Sequence, residues 1–223
     1  MQLTYPKSGD RQPSNAFNTA GYDNDMLWKG RGQDQKVAMG NSAVVVIDVQ
    51  NAVLSVPGML RPAETMAALD ACVARIAGLL VRARRSNIPI LFLQHDGTVG
   101  HRLKPGSVGW QIRPELTPRC SEPVVHKRAS DSFFHTTLDA ELQSRKIGRL
   151  IVVGCMTQYC VDTTVRRAVT LGYDVTLVAD GHMTADSSVL TFEQIIAHHN
   201  ELLDGFDADE HLVSVVPSEQ AML

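Results

Sequence analysis

The sequence predicts a three-layer α/β fold, Rossmann-like and doubly wound, with helices on both faces of a mostly parallel, about six-stranded sheet. Apolar, β-branched runs alternate along the chain with segments of helical spacing, the order that right-handed crossovers in a parallel sheet require. The first run, at 43–47, is apolar throughout, as expected of a strand buried on both faces. The chain has 223 residues, enough to build one well-buried core.

The first half of this pattern contains two strands, one long helix and a long loop. Apolar residues recur every three or four positions from 64 to 85, which predicts a helix with one buried face. A strand is predicted at 88–93, where Pro89 lies near the start, a position that strands tolerate. The loop that follows, at 94–123, is rich in glycine and proline. A loop of this length inside a compact domain is usually functional.

In the second half of the chain, strands and helices again alternate, and the predicted segments are shorter. Its strands are predicted from short apolar runs and its helices from apolar residues at helical spacing. In chain order we expect a strand at 124–127, a helix at 138–145, a strand at 150–153, a helix at 161–171, a strand at 174–178, a helix at 191–203 and a strand at 212–216.

Residues 1–41 differ in composition from the rest of the chain. They are rich in Asn, Asp, Gln, Gly, Ser and Lys and show little apolar periodicity. Two interpretations stand side by side: an extended arm that covers its own surface or a neighbouring subunit, and plain disorder. We therefore divide the chain into an N-terminal extension or arm at 1–41 and a single domain at 42–223.

Composition and charge argue against several classes of protein. The net charge of -3 provides no basic surface for nucleic acid, and no apolar stretch approaches the roughly 20 residues that cross a bilayer. The N-terminus lacks the apolar core of a signal peptide. The four cysteines form no CxxC pair, which argues against a zinc ribbon. We expect a cytoplasmic protein with reduced thiols and with no nucleic-acid or membrane partner.

Polar residues at the predicted strand ends mark the candidate site, because sites in doubly wound sheets form at the carboxyl ends of the strands. Asp48 ends the first strand, Lys127 ends the third, and Cys160 lies in the turn after the fourth. Each has a simpler interpretation, as a turn cap, an exposed lysine or a small buried residue. Their shared position at one edge of the sheet favours a site. The other polar residues at strand ends are Gln94, His95, Asp96, Asp180 and His182.

Cys160 is the candidate nucleophile. The segment 154–160 separates an apolar strand from a helix-like stretch, which places the thiol at a helix N-terminus. Unpaired backbone N–H groups and the helix dipole favour an anion at that position. We therefore expect the pKa of this thiol to be lowered, and its thiolate to attack a carbonyl carbon.

Three segments of the chain carry a resemblance to a known family. They are Val46-Ile47-Asp48-Val49-Gln50-Asn51, Val125-His126-Lys127 followed by Asp131-Ser132-Phe133, and Gly154-Cys155-Met156-Thr157-Gln158-Tyr159-Cys160-Val161 with Thr163, Thr164 and Ala168 after it. The third segment is the most specific. Over about residues 42–216 the chain resembles the isochorismatase-like cysteine hydrolases, which include nicotinamidases and N-carbamoylsarcosine amidases. The resemblance implies the fold of that family and a hydrolase domain at 42–223.

The resemblance also implies a set of catalytic residues. The catalytic Asp, Lys and Cys of the family fall on Asp48, Lys127 and Cys160. A non-proline cis peptide of the family maps to Cys155–Met156, and the backbone N–H groups of Met156 and Cys160 would then form an oxyanion hole. Oligomers are common in the family, so we expect a homo-oligomer, a dimer or a tetramer.

The implied reaction is hydrolysis of a C–N bond of a small amide, ureido or lactam compound through a Cys thioester. In this reading Asp48 accepts the thiol proton of Cys160, and Lys127 stabilises the negative charge. Two alternatives remain. One is isochorismatase-type cleavage of a vinyl ether, although such members do not retain the cysteine. The other is a non-catalytic member that binds a metabolite or a partner protein.

Five residues are predicted to contact the substrate: Gln50, His95, Trp110, Gln158 and Tyr159. Gln158 and Tyr159 directly precede the nucleophile, so we expect them to border the pocket. Trp110, in the loop at 94–123, has two interpretations, as an aromatic wall of the site or as an anchor that packs the loop on the core.

No cofactor or metal is predicted. The metal-binding nicotinamidases carry an Asp-x-His near the end of the second strand, and Thr98 stands where that His would be. Asp96 with His101 is the remaining alternative for a metal site. The family often has Phe at the position of Val53, and this difference argues against nicotinamide as the substrate.

Overall fold

A computed structural model describes residues 42–56 and 58–221, and the predicted N-terminal arm lies outside these residues. The described part contains seven strands and four α-helices. In chain order they are β1 (Ser42–Ile47), α1 (Pro62–Arg85), β2 (Ile90–His95), β3 (Val124–Lys127), α2 (Leu138–Ser144), β4 (Arg149–Cys155), α3 (Asp162–Thr170), β5 (Asp174–Met183), α4 (Phe192–Leu203), β6 (Asp207–Ala208) and β7 (His211–Val216).

The seven strands form one sheet in the order β3-β2-β1-β4-β5-β7-β6. All neighbouring strands are parallel except β6, which pairs with β7 in the antiparallel direction. This confirms the predicted doubly wound α/β class. The additional strand, β6, has only two residues, too few to produce an alternating or apolar pattern in the sequence.

Two apolar cores lie on opposite faces of the sheet. Val44 and Val46 of β1 pack with the buried face of α1, whereas Val45 and Ile47 pack with residues of α2 and α3. Successive side chains of a strand point to opposite faces, so the apolar run of β1 fills both cores at once. Within the described ranges, no helix has both the length and the hydropathy needed to span a membrane.

The strand β5 is longer than the predicted 174–178. It continues to Met183 through a register shift against β4, after which Gly154 pairs with His182. Gly181 permits this continuation, because a Cβ there would lie 2.8 Å from the Val178 side chain and 2.9 Å from that of Val153. Asp180 and His182 therefore lie within β5, and the expectation that they follow the strand is wrong.

The predicted long loop is closely tied to the segment that follows β1. Gln50 and Ile112 form an isolated antiparallel bridge, and the Ala52 N–H donates to the Gly109 carbonyl over 3.0 Å. A Cβ on Gly109 would lie 2.5 Å from the Arg102 carbonyl oxygen, so glycine is needed for this close approach. The loop is thereby fixed as one wall over the carboxyl ends of the strands.

Candidate active site

A cavity of about 400 Å³ lies at the carboxyl ends of the parallel strands. Ile47 at the end of β1 is in register with Gly154 of β4, so Asp48 is a neighbour of the turn that follows β4. Asp48 and Cys160 both line the cavity, and Lys127 lies beside Asp48. The structure thus brings together the three residues predicted from strand ends.

Asp48 is a buried carboxylate that faces a buried lysine. Lys127 Nζ lies 2.6 Å from Asp48 Oδ2, and the two side chains are 0% and 3% exposed. Lys127 Nζ also donates to the Ala129 carbonyl over 2.8 Å. The two side chains form a buried ion pair, and the Cys160 thiol is a second polar neighbour of the carboxylate. A carboxylate placed in this way beside a thiol is suited to take up its proton.

The backbone of Asp48 adopts the left-handed conformation, with φ of 50°. Its N–H donates to the Leu93 carbonyl over 3.0 Å, and its carbonyl accepts from the Gln50 N–H over 2.8 Å. Asp tolerates this conformation better than most residues with a Cβ. Backbones held in this way concentrate at functional sites. The conformation ends β1 and leaves Asp48 at the cavity.

Cys160 belongs to a single π-helical turn, Thr157–Val161, that runs directly into α3. The Met156 carbonyl accepts two N–H groups of this turn, over 3.1 and 3.2 Å. The peptide bond Cys155–Met156 is cis. Cys160 is half-buried, unlike the exposed Cys120.

The protonation of the site differs from the expectation based on the helix terminus. Burial raises the pKa of the Cys160 thiol to about 11, and the Asp48 charge adds to this, against the opposing effect of Lys127. Burial also raises the pKa of Asp48 above its usual range. The expectation of a lowered thiol pKa is therefore wrong, because desolvation of the thiolate and the Asp48 charge outweigh the effect of Lys127. At neutral pH the Cys160 thiol therefore keeps its proton.

Three of the five predicted substrate contacts line the cavity: His95, Gln158 and Tyr159. Burial lowers the pKa of His95, so its ring is neutral at pH 7. The Gln158 Oε1 atom is buried and accepts no hydrogen bond from a described residue. Tyr159 is 53% exposed, at the solvent side of the cavity.

The other two predicted contacts, Gln50 and Trp110, do not line the cavity. The fully buried Gln50 amide donates to the carbonyls of His95 and Trp110, over 3.1 and 2.7 Å, and accepts from the His95 N–H. The Trp110 indole donates to Asp96 Oδ1 over 2.8 Å and stacks on His126. Their side chains are occupied in holding the loop to β2, which corresponds to the anchor interpretation of Trp110.

The residues Asp96 and His101 have separate partners. Asp96 Oδ1 accepts the Trp110 indole N–H and lies 3.1 Å from His126 Nδ1. His101 Nδ1 accepts the Leu103 N–H over 3.1 Å. In the ranges 42–56 and 58–221, no three His, Cys, Asp or Glu side chains are grouped as metal ligands.

Two segments of the family-like pattern contact each other directly. The Thr164 hydroxyl on α3 donates to Ser132 Oγ over 2.8 Å and accepts the Ser132 N–H over 3.1 Å. Both residues are fully buried. This pair fixes the loop after Lys127 to the helix that continues from the Cys160 turn.

His182 is a residue whose role the sequence did not indicate. It is 2% exposed, with Nδ1 lying 2.9 Å from Thr157 Oγ1 and Nε2 lying 2.8 Å from Asn200 Oδ1. It therefore connects the first residue of the Cys160 turn to α4. The only signal was its position near a strand end, because Thr157 and Asn200 lie far from it in the sequence.

Arg102 is a second cavity residue that the sequence did not indicate. Its Nε and Nη2 atoms donate to the carbonyls of Ala52 and Val53, each over 2.9 Å. Burial lowers its pKa, against the opposing effect of Cys160. A single arginine in a long loop carries no pattern that would distinguish it from a surface residue.

Comparison with protein families places most of the domain in one group. A model of the isochorismatase domain matches residues 42–202. Streptothricin hydrolase of Streptomyces noursei is 37% identical over 144 residues, which are 65% of this chain and 50% of that protein. Ureidoacrylate amidohydrolase RutB of Variovorax paradoxus is 27% identical over 198 residues, covering 75% of this chain and 79% of the relative. The chain thus matches half the length of streptothricin hydrolase.

Solved structures agree with this grouping. An isochorismatase from Pseudomonas putida has a TM-score of 0.71 and 33% identity, over 83% of this chain and 92% of the other. N-carbamoylsarcosine amidase from Thermoplasma acidophilum has a TM-score of 0.64 over 82% of this chain and 99% of the other. Its identity of 21% shows a common fold alone.

Proposed function

The chain belongs to the isochorismatase family, a family of hydrolases, and we propose that it hydrolyses a C–N bond of a small molecule through a thioester on Cys160. The substrate is an amide, ureido or lactam compound. The observation that carries the proposal is the buried Asp48 carboxylate, paired with Lys127 and beside Cys160, at a cavity of about 400 Å³. Two relatives named as streptothricin hydrolase and ureidoacrylate amidohydrolase support it.

In the first half of the reaction, the thiol proton of Cys160 passes to Asp48. The sulfur attacks the substrate carbonyl carbon, and the carbonyl electron pair moves to oxygen, where the N–H groups of Met156 and Cys160 stabilise the oxyanion. Lys127 offsets the negative charge that develops beside it. The tetrahedral intermediate then collapses, the C–N bond breaks, and Asp48 returns the proton to the departing nitrogen.

In the second half, water releases the acid. Asp48 removes a proton from the water as its oxygen attacks the thioester carbonyl. The C–S bond breaks, and Asp48 returns that proton to the sulfur. The high pKa of the thiol supports this order of events, because proton transfer to Asp48 accompanies attack and no stable thiolate is needed beforehand.

The test compares Cys160→Ala with Cys120→Ala, a matched variant at an exposed cysteine outside the cavity. Ammonia and carboxylate release are followed from a panel of nicotinamide, carbamoyl amino acids, lactams and primary amides. We expect Cys160→Ala to lose at least about a thousandfold in kcat/KM while Cys120→Ala retains activity. Turnover in Cys160→Ala equal to that of the wild type would refute the thioester mechanism.

A further inference from the structure

Two of the charged side chains that line the cavity have an ion-pair partner, and a third has none among the described residues. Asp48 is paired with Lys127, and Asp186 is paired with Arg61 over 2.6 Å. Arg102 lines the same cavity, and no described carboxylate forms an ion pair with it. The guanidinium of Arg102 is therefore available to pair with an anionic ligand.

The two histidines that line the cavity, His95 and His101, neither add to the positive charge of Arg102 nor offset it. The ring of His95 is neutral because burial lowers its pKa. His101 accepts the Leu103 N–H at Nδ1, so that nitrogen carries no proton. Tyr159, Ser187 and Gln158 are uncharged at neutral pH.

The guanidinium of Arg102 is held in place by two hydrogen bonds, and it has further N–H groups that can donate to a ligand. Two of its five N–H groups donate to the carbonyls of Ala52 and Val53. These carbonyls belong to the segment just after Asp48, so the guanidinium is fixed relative to the catalytic carboxylate. The remaining N–H groups form the planar arrangement that matches a carboxylate.

Resting on the proposed function, we infer that the substrate is a small amide that carries a carboxylate, and that Arg102 binds this carboxylate while the scissile carbonyl lies at Cys160. The cavity volume of about 400 Å³ suits a molecule of this size. Arg102 is thereby a specificity residue of the site.

The first experiment compares charged and neutral substrates with the same scissile group. The series is malonamate, succinamate and glutaramate, each beside its methyl ester, with the wild-type protein. We expect the best acid to exceed its ester by at least about tenfold in kcat/KM, mainly through a lower KM, because a hydrogen-bonded ion pair in a partly buried site adds affinity. Equal values for acid and ester would overturn the inference and leave the proposed function standing.

The second experiment changes Arg102 itself. Arg102→Met removes the charge, and Lys104→Met removes the same charge from an exposed side chain of the same loop. We expect the preference for the acid to disappear in Arg102→Met and to persist in Lys104→Met. Arg102→Lys, which keeps the charge but loses the planar donors, serves if Arg102→Met does not fold, and an intermediate preference is expected. An unchanged preference in a folded Arg102 variant would overturn the assignment.

A third readout does not depend on turnover. Succinate and glutarate are tested for protection of Cys160 against alkylation by iodoacetamide, with Cys120 as the reference within the same chain. We expect protection of Cys160 alone, and its loss in Arg102→Met. Protection without turnover of any amide would support the anion site and refute the proposed hydrolysis. Absence of protection by both dicarboxylates, together with equal turnover of acids and esters or none, would overturn the inference.

Discussion

At the scale of single residues, the main property of the site is that the Cys160 thiol keeps its proton at neutral pH. A helix terminus alone favours a thiolate, but Cys160 is also desolvated and next to a carboxylate. Lys127 is shared between Asp48 and Cys160, so its charge cannot stabilise both anions fully. The Cys160 thiol is therefore neutral at pH 7 and lies beside a carboxyl group whose pKa is raised, a state that differs from a preformed thiolate.

This protonation state predicts slow alkylation of Cys160 in the free protein. At pH 8, a thiol with a pKa of about 11 contains about a hundredfold less thiolate than one with the ordinary value of 9.0, while the higher basicity of its thiolate restores about tenfold. We expect iodoacetamide to modify Cys160 about tenfold more slowly than the exposed Cys120, measured by peptide mass spectrometry. The Cys160 rate should keep rising up to pH 11. Faster modification of Cys160 than of Cys120 at pH 7 would contradict the raised pKa.

At the scale of elements, the Cys160 turn depends on how β4 passes β1. Gly154 has φ of 129°, and a Cβ there would lie 2.1 Å from the Ile47 carbonyl oxygen. Ile47 precedes Asp48, so any displacement by a side chain at Gly154 moves the Asp48 carboxylate. Residue 154 must therefore lack a side chain, both for β4 to pair with β1 and for Asp48 to keep its position.

We therefore expect Gly154→Ala to destabilise the fold by at least about 2 kcal/mol and to lower kcat, because the added methyl overpacks a backbone contact at positive φ. Urea denaturation and turnover measure the two effects. Gly78→Ala is the matched control, since Gly78 lies exposed in α1 with no atom within 4 Å of an added Cβ. It should raise stability by up to about 1 kcal/mol. Equal stabilities of the two variants would contradict the steric argument.

The elements also show which features a sequence can predict. Strands β1 and β4 are marked by apolar runs, and Asp48 ends one run, so the position of Asp48 at the carboxyl end of its strand follows from local pattern. The extension of β5 does not, because its residues 179–183 are held by a register shift against β4 rather than by their own apolarity. Arg102 and His182 were missed for a related reason: their partners are carbonyls and side chains brought close only by the tertiary fold.

At the scale of the whole molecule, His182 links three parts of the fold. It lies in β5 and contacts the Cys160 turn through Thr157 and α4 through Asn200. The Asn200 amide donates to the Ala179 carbonyl over 3.0 Å, which orients its oxygen toward His182. His182 therefore donates from Nε2 and accepts the Thr157 hydroxyl at Nδ1, and the buried ring is neutral.

This neutral ring predicts how global stability depends on pH. Burial lowers the pKa of His182 to about 4 from the ordinary 6.5, with His199 acting in the same direction and Asp180 against it. As the pH falls below 6.5 the unfolded chain takes up this proton first, so stability is complete above 6.5 and is lost progressively down to about pH 4. The loss is on the order of 3 kcal/mol. Chemical denaturation of wild type and His182→Gln should give stabilities that converge by this amount between pH 7 and 4. Parallel curves for His182→Gln would show that this ring is not the group that couples protons to folding.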